Sequence, residues 1–544
     1  MITVINASDF CRIELAPHLF CYQEPSLRAP GIDSIVGGLN ANYWRQQYHP
    51  FAHVLVDVNA QEFLLVRDHL GVRPLYYWWQ GSLLVFGNTV ADVVRDVALH
   101  TQRPLLKLDG LFVDNPYYSD HTLHQGVNRV EPGHYMHCQA NGRLTKNVFW
   151  QLEKEGAELH YRDKNEYLEH FAALMQESIT LATAGHTAIA AEFSAGLDSS
   201  AIYCGSAALG LNPTLFMHVS DPSDPLNLPY NSAYEQAFLK HYPAASLQRI
   251  AADSFDAIPL FNAYTRLFAG PAPHLFELFA HNIHQAVSQQ GYTLLLSGFG
   301  GDQGVSGHVP LRFVLPSLLQ NKQIKLAWQL CQQEKTKSSA ACFVALLQAS
   351  HPQLHGILRW TRQLIRAVQN MRVAIEDKRF LSTHPYHVHY FKTLREAEWS
   401  FLQGPLSQEV RMRIEYSSVV AKQMGFEYRY PLLYPKLLEF FLSIPVTQKR
   451  QQGIGRFLMK RYLSMHLPSL FDVYHKKEGL SICPATLAKF KRQHEQGLFA
   501  NDFAQLPLAK QIADPLPLKT MIKTIQAYML KIHLNDVANS GAIN

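Results

Sequence analysis

The spacing of hydrophobic positions changes near residue 160, and that change divides the chain into two parts. Before it the pattern is that of strands. Phe51–Asp57 and Glu62–Arg67 are apolar, β-branched runs joined by the polar turn Val58–Gln61. The loop Asp68–Pro74 leads into the aromatic run Leu75–Trp79, and Gln80-Gly81 turns the chain into a further strand over Leu83–Asn88. After the change, Leu168, Phe171, Met175 and Ile179 recur at helical spacing. Apolar strands are then predicted at Ala188–Phe193, Thr214–Val219 and Gly291–Leu296, with a helix over Ala233–His241 between the last two. Strands that alternate with helices predict a parallel α/β sheet. Residues 310–400, and the chain from 405 onward, read as helical with interruptions at Pro431, Pro445 and Pro468. The expected organisation is a β-rich sandwich over 1–155 and a parallel-sheet domain over 156–544, with a helical insertion at about 310–400.

Composition narrows the class. At 544 residues, with 47% hydrophobic and 17% charged residues, the chain is globular and too long for one ordinary core. A net charge of +5 is small for this length and makes no case for nucleic acid as a partner. The 7 cysteines lack CxxC or CxxH spacing, which argues against a zinc site and against a disulfide framework. The N-terminus shows no signal-peptide pattern, and no apolar run approaches a membrane span, so a cytoplasmic protein without a membrane partner is expected. The 27 histidines are dispersed. The densest group, His384, His387 and His389, has no carboxylate or cysteine close in sequence and reads as surface or half-buried residues.

The segment AIAAEFSAGLDSSAI at 188–202 carries the most chemistry. A buried strand breaks into a turn of small residues at Ser194, Ala195 and Gly196, and Leu197, Asp198, Ser199 and Ser200 open a helix. Backbone N–H groups at such a helix start converge and favour a phosphate or pyrophosphate. The serine hydroxyls add donors, and Asp198 adds a carboxylate able to hold magnesium. No Gly-Lys-Ser/Thr follows, so the loop is not a Walker loop. A second glycine-rich turn, Ser297-Gly-Phe-Gly-Gly-Asp302, follows the strand that ends at Leu296. Ligands of open parallel sheets lie at the carboxyl ends of strands, so both turns, and Val219 at the end of the strand between them in sequence, are expected to share one site. Asp198 and Asp302 form the expected magnesium pair, with Ser297, Gly298 and Gly300 on the nucleotide.

Several segments together resemble the asparagine synthetase class-B superfamily. Ser194–Ser200 is similar to its SGGLDSS pyrophosphate loop, and Ser297–Asp302 to SGEGxDE. Glu427–Leu433 is similar to LEVRVPFLD, Gly453–Lys460 to GKTKYLLR, and Lys476–Gly479 to RPKQGF. Near the N-terminus, Leu65–Tyr77 resembles LARDRLGVKPLYY. The resemblance implies an N-terminal glutaminase-type (Ntn-hydrolase-like) domain followed by an ATP-pyrophosphatase domain that uses ATP and Mg2+. It also implies that Lys477, assisted by Arg456, stabilises charge developing on the phosphate or the tetrahedral intermediate. Glu427 is then a candidate to orient the amine or receive its proton.

The departures from that pattern are specific. Position 2 is Ile2 where the family's glutaminase domains carry a nucleophilic cysteine, and the NGEIYN-like segment is missing. Phe299 replaces an acidic residue or tyrosine, Gln303 replaces an acidic residue, and Ala195 replaces glycine. Alanine at that turn is expected to hold a negative φ, because a Cβ opposes left-handed geometry. This profile is similar to that of the lasso peptide cyclases. The resemblance implies adenylation of an Asp or Glu side chain in a precursor peptide, and closure of a macrolactam by the peptide's own α-amine. It further implies a leader-peptide protease and a leader-recognition protein as partners. An ammonia- or small-amine-dependent synthetase and a non-catalytic peptide-binding scaffold remain as alternatives.

Overall fold

A computed structural model describes residues 3–6, 10–16, 19–23, 41–101, 120–139, 141–219, 232–251, 257–270, 276–305, 315, 318–319, 322–333, 393–404, 407–451 and 454–468. Among the described residues the N-terminal part contains ten strands: β1 Thr3–Asn6, β2 Cys11–Ala16, β3 Leu19–Gln23, β4 Ala52–Asp57, β5 Glu62–Arg67, β6 Tyr76–Gln80, β7 Leu83–Gly87, β8 Val127–Arg129, β9 His134–Cys138 and β10 Leu144–Val148. They form a six-stranded antiparallel sheet, ordered β10-β9-β5-β4-β3-β2, and a four-stranded sheet, ordered β1-β7-β6-β8.

The strong apolarity of β4 and β5 has a simple cause, which is that both faces of their sheet are buried. Val54, Val56, Phe63 and Leu65 face the other sheet and meet Leu75, Tyr77, Leu84 and Phe86. The alternate residues Leu55, Leu64 and Val66 point the other way, into a core continuous with that of the second domain. The helix Val90–Thr101 covers the far side of the four-stranded sheet through Val93 and Val97.

The second part is built on a parallel sheet of β11 Ile189–Glu192, β12 Thr214–Val219, β13 Leu247–Ala251, β14 Leu294–Leu296 and β15 Glu427–Arg429, ordered β13-β12-β11-β14-β15. The helix Lys164–Thr183 feeds β11. Its start is fixed by a capping box, in which Asp163 accepts from the N–H of Asn165 and Glu166 accepts from the N–H of Asp163. The helices Leu197–Ala208 and Phe457–His466 pack with it, while Phe276–Gln289 and Gln408–Gln423 pack on each other.

Two strands differ from the sequence expectation. β13 carries charge in the run LQRIA, and β15 is three residues long inside a stretch that reads as helix. Neither is long enough to show a period, and each forms because the edge of a neighbouring strand offers unpaired backbone groups. Of the expected insertion at 310–400, the helices Ile324–Gln333 and Leu394–Leu402 are described, with a small core of Leu315, Leu318, Leu330 and Cys331. The histidines 384, 387 and 389 lie outside the described residues. No described helix is long and apolar enough to cross a membrane.

Candidate functional site

The carboxyl end of β11 delivers the first loop. Past Phe193 the chain turns at Ala195, whose φ is +49°, and Gly196 caps the helix Leu197–Ala208 without a side-chain bond. The positive φ corrects the expectation that alanine here stays on the negative side, since the turn needs the geometry glycine adopts freely and alanine takes it under strain. The Ser194 N–H donates to Ser199 Oγ at 3.2 Å, and the two hydroxyls lie 3.3 Å apart. Ser194 is exposed, whereas Leu197, Ser199 and Ser200 are buried at the helix start. Val219 ends β12, the neighbour of β11.

The second loop leaves β14 on the other side of β11 and closes onto the first. A Cβ placed on Gly298 would lie 2.8 Å from Ser199 N and 3.0 Å from the Asp198 carbonyl carbon. One placed on Gly301 would run into the Asp198 carboxylate. Gly300 has a φ of +92° and abuts Leu433. Only glycines let the two backbones approach this closely, so a narrow cradle forms between a helix N-terminus and a glycine-rich turn.

Arg456 completes the cradle. It begins the helix Phe457–His466 with φ at +57° and is almost fully buried. Its guanidinium reaches Asp198 Oδ2 at 3.5 Å and is also ion-paired with Asp302. Arg456 thus gathers the Asp198 and Asp302 carboxylates around one guanidinium. Two carboxylates, phosphate oxygens and water form the donor set magnesium takes, so the residues fit that ion. Ser194, Asp198, Ser199, Ser200, Ser297, Gly298, Gly300, Asp302 and Arg456 are therefore brought to one end of the sheet. Lys477 lies outside the described residues.

Glu427 is not brought there. It pairs in register with Leu294 at the entering end of β14, whereas Ser297 follows the exit end and bonds the Arg429 carbonyl. Its carboxylate meets Arg73 of the N-terminal domain at 2.6 Å, His186 at 3.6 Å, and Arg429. Burial alone would raise its pKa, but Arg429 and Arg73 hold it down at about 2. Glu427 thus serves as an ion-pair anchor between domains and is a poor proton acceptor. A second interdomain anchor lies nearby in sequence, where buried Glu415 bonds Arg67 at 2.9 Å and also meets Arg129 and the Tyr76 hydroxyl.

The residue that sequence reasoning missed is Glu192, the last of β11. Its carboxylate accepts from Ser297 Oγ and the Tyr428 hydroxyl, with Arg413 Nη2 3.4 Å from both oxygens. Arg413 in turn lies over the rings of Phe299 and Tyr428. The available signal was a charge inside an otherwise apolar strand, AIAAEF.

A family model for asparagine synthase matches residues 170–512, and one for a glutamine amidotransferase domain matches residues 44–150. Among curated proteins, the chain is similar to amidase chry2 of Gibberella zeae, at 24% identity over 48% of this chain and 40% of that one. It is similar to amidase chyE of Penicillium rubens, at 24% over 55% and 45% of the two chains. Asparagine synthetase [glutamine-hydrolyzing] 3 of Bacillus subtilis matches at 25% over 28% and 24%. The chain thus spans less than half the length of each of these relatives.

Proposed function

The chain belongs to the asparagine synthase family, and from that premise we propose that it is an ATP-dependent ligase that activates a carboxylate as its adenylate and joins it to an amine. The observation that carries this reading is the closure of the two glycine loops on each other, with Arg456 gripping Asp198 and Asp302 at their junction. Ser194, Ser199 and the N–H groups of the helix start hold the pyrophosphate, and Arg456 offsets its charge. Bound magnesium, held by Asp198 and Asp302, supplies charge neutralisation on the triphosphate. Lys477 acts on the same charge from the C-terminal segment.

We propose further that the carboxylate is an Asp or Glu side chain of a precursor peptide and that the amine is the same peptide's N-terminus, so that the product is a macrolactam. Phe299 supports this reading, because it sets the second loop apart from the acidic form used with ammonia in the resembling synthetases. Two thiols of the first domain, Cys21 and Cys138, are poorly suited to serve as a glutaminase nucleophile. Burial pushes Cys21 up to about 12 and raises Cys138, and a glutaminase needs a thiolate. A leader-peptide protease and a leader-recognition protein are the proposed partners.

The test uses the purified chain with Mg2+ and ATP, and synthetic peptides with a free N-terminus and one internal Asp or Glu. Pyrophosphate release and a product lighter by one water are expected. Substitution Asp198→Asn should abolish both, and unchanged release in that variant sinks the ligase reading. If free aspartate and ammonium support release as well as any peptide does, the peptide reading fails and the small-amine synthetase stands.

A further inference from the structure

The displacement of Glu427 to the far end of the sheet leaves the amine's proton without the acceptor expected from sequence, and Phe299 cannot take it. We propose that Glu192 is the catalytic base of amide formation. The inference rests on the ligase reading above and extends it to a named residue.

Three observations support it. First is place, because Glu192 ends the central strand one residue before Phe193 and two before the Ser194 loop, and its carboxylate bonds Ser297, the first residue of the second loop. It stands between the two loops that enclose the nucleotide. Second is capacity. Ser297 and Tyr428 donate to one oxygen each, while Arg413 Nη2 stands at 3.4 Å from both, a long contact that an incoming amine can displace. The side chain is 19% exposed, so a substrate can reach it.

Third is the neighbouring strand. His218, near the end of β12, has a buried Nε2 with no hydrogen-bond partner among the described residues. Burial lowers its pKa to about 4, against an upward pull from the Glu192 charge. The strand register sets Glu192 opposite Phe216, so His218 lies on the same face two residues on, and its neutral imidazole with an unfilled nitrogen can hydrogen-bond a bound substrate. Among the described residues, Arg413, Tyr428 and His284 pack together behind Glu192, with Phe299 against Arg413.

The amine lone pair forms the C–N bond to the adenylate carbonyl. The C–O bond to AMP breaks, its electron pair leaving on the phosphate oxygen. The proton lost from nitrogen passes to a Glu192 Oε.

The alternative is that Glu192 only ties the loops together through Ser297. The experiment compares the wild-type, Glu192→Gln, Glu192→Asp and Ser297→Ala proteins in two half-reactions, peptide-dependent ATP–pyrophosphate exchange and capture of the adenylate by an amine. Ammonium and hydroxylamine serve as probe amines, the second being weakly basic and already neutral at neutral pH. For a base, Glu192→Gln should cut amide formation by roughly 100-fold or more relative to exchange. The loss should be much smaller with hydroxylamine, and Glu192→Asp should restore part of it. Equal losses with both amines, matched by Ser297→Ala, would assign Glu192 a purely structural role and overturn the proposal. Lack of exchange in the wild-type protein would instead remove the ligase reading, and this inference with it.

Discussion

Substitution Glu427→Gln separates an anchor from a catalytic base. The carboxylate is 15% exposed and contacts Arg73 across the domain boundary, with Arg429 and His186 beside it. Its pKa lies at about 2, and the distance from the ordinary value of about 4.3 corresponds to roughly 3 kcal/mol of preference for the charged form in the folded protein. That figure agrees with the range of about 3–5 kcal/mol for breaking one side of a buried pair. Glutamine keeps the shape and one acceptor oxygen, so a loss of about 2–3 kcal/mol is expected.

The pH dependence has a definite sign. A depressed acid stabilises fully above its unfolded pKa and loses that contribution as pH falls through the folded one. Urea unfolding curves of wild type and variant, followed by the fluorescence of buried Trp44 and Trp150, should be well separated at neutral pH. They should converge as pH drops from about 4.3 toward about 2. Exchange and amide formation should decline together, in proportion to folded protein. A variant with the wild-type unfolding midpoint and a selective loss of amide formation would refute the anchor and return Glu427 to the reaction.

Two further outcomes test the cradle. Substitution Gly298→Ala puts a methyl group 2.8 Å from Ser199 N, and backbone on both sides cannot yield as a side chain would. A cost of about 1–3 kcal/mol and loss of the thermal shift induced by Mg2+ and ATP are expected, and an unchanged shift would contradict the closed arrangement. Substitution Ala195→Val places a β-branched residue at a φ of +49° and should cost about 1–3 kcal/mol in urea unfolding. Ala195→Gly should be close to neutral, because relief of strain is offset by the entropy of glycine in the unfolded chain.

Much of this protein is legible in one dimension because the relevant physics is local. A strand, a turn of small residues and a helix start lie within the fifteen residues from 188 to 202, so the first loop follows from sequence order alone. The alternation of strands and helices likewise determines a parallel sheet, and a parallel sheet determines which end carries the ligand. The apolarity of β4 and β5 is read correctly as strand, although the sequence does not say that one of their faces packs against another domain.

What only the tertiary structure decided is the direction of side chains on strands too short to show a period. In β15, Glu427 and Arg429 share one face and meet the N-terminal domain, while Tyr428 points the other way to Glu192. Parity and register place Glu427 beside Leu294, two residues short of the strand's exit. The motif around it is unchanged by that placement, but its chemistry is not. A carboxylate flanked by two guanidiniums is held ionised and serves as an anchor, whereas Glu192, with one guanidinium at 3.4 Å, lies at the strand exit beside both glycine loops. Sequence supplied both glutamates, and the pairing of the strands determined which of them lies at the exit end of the sheet.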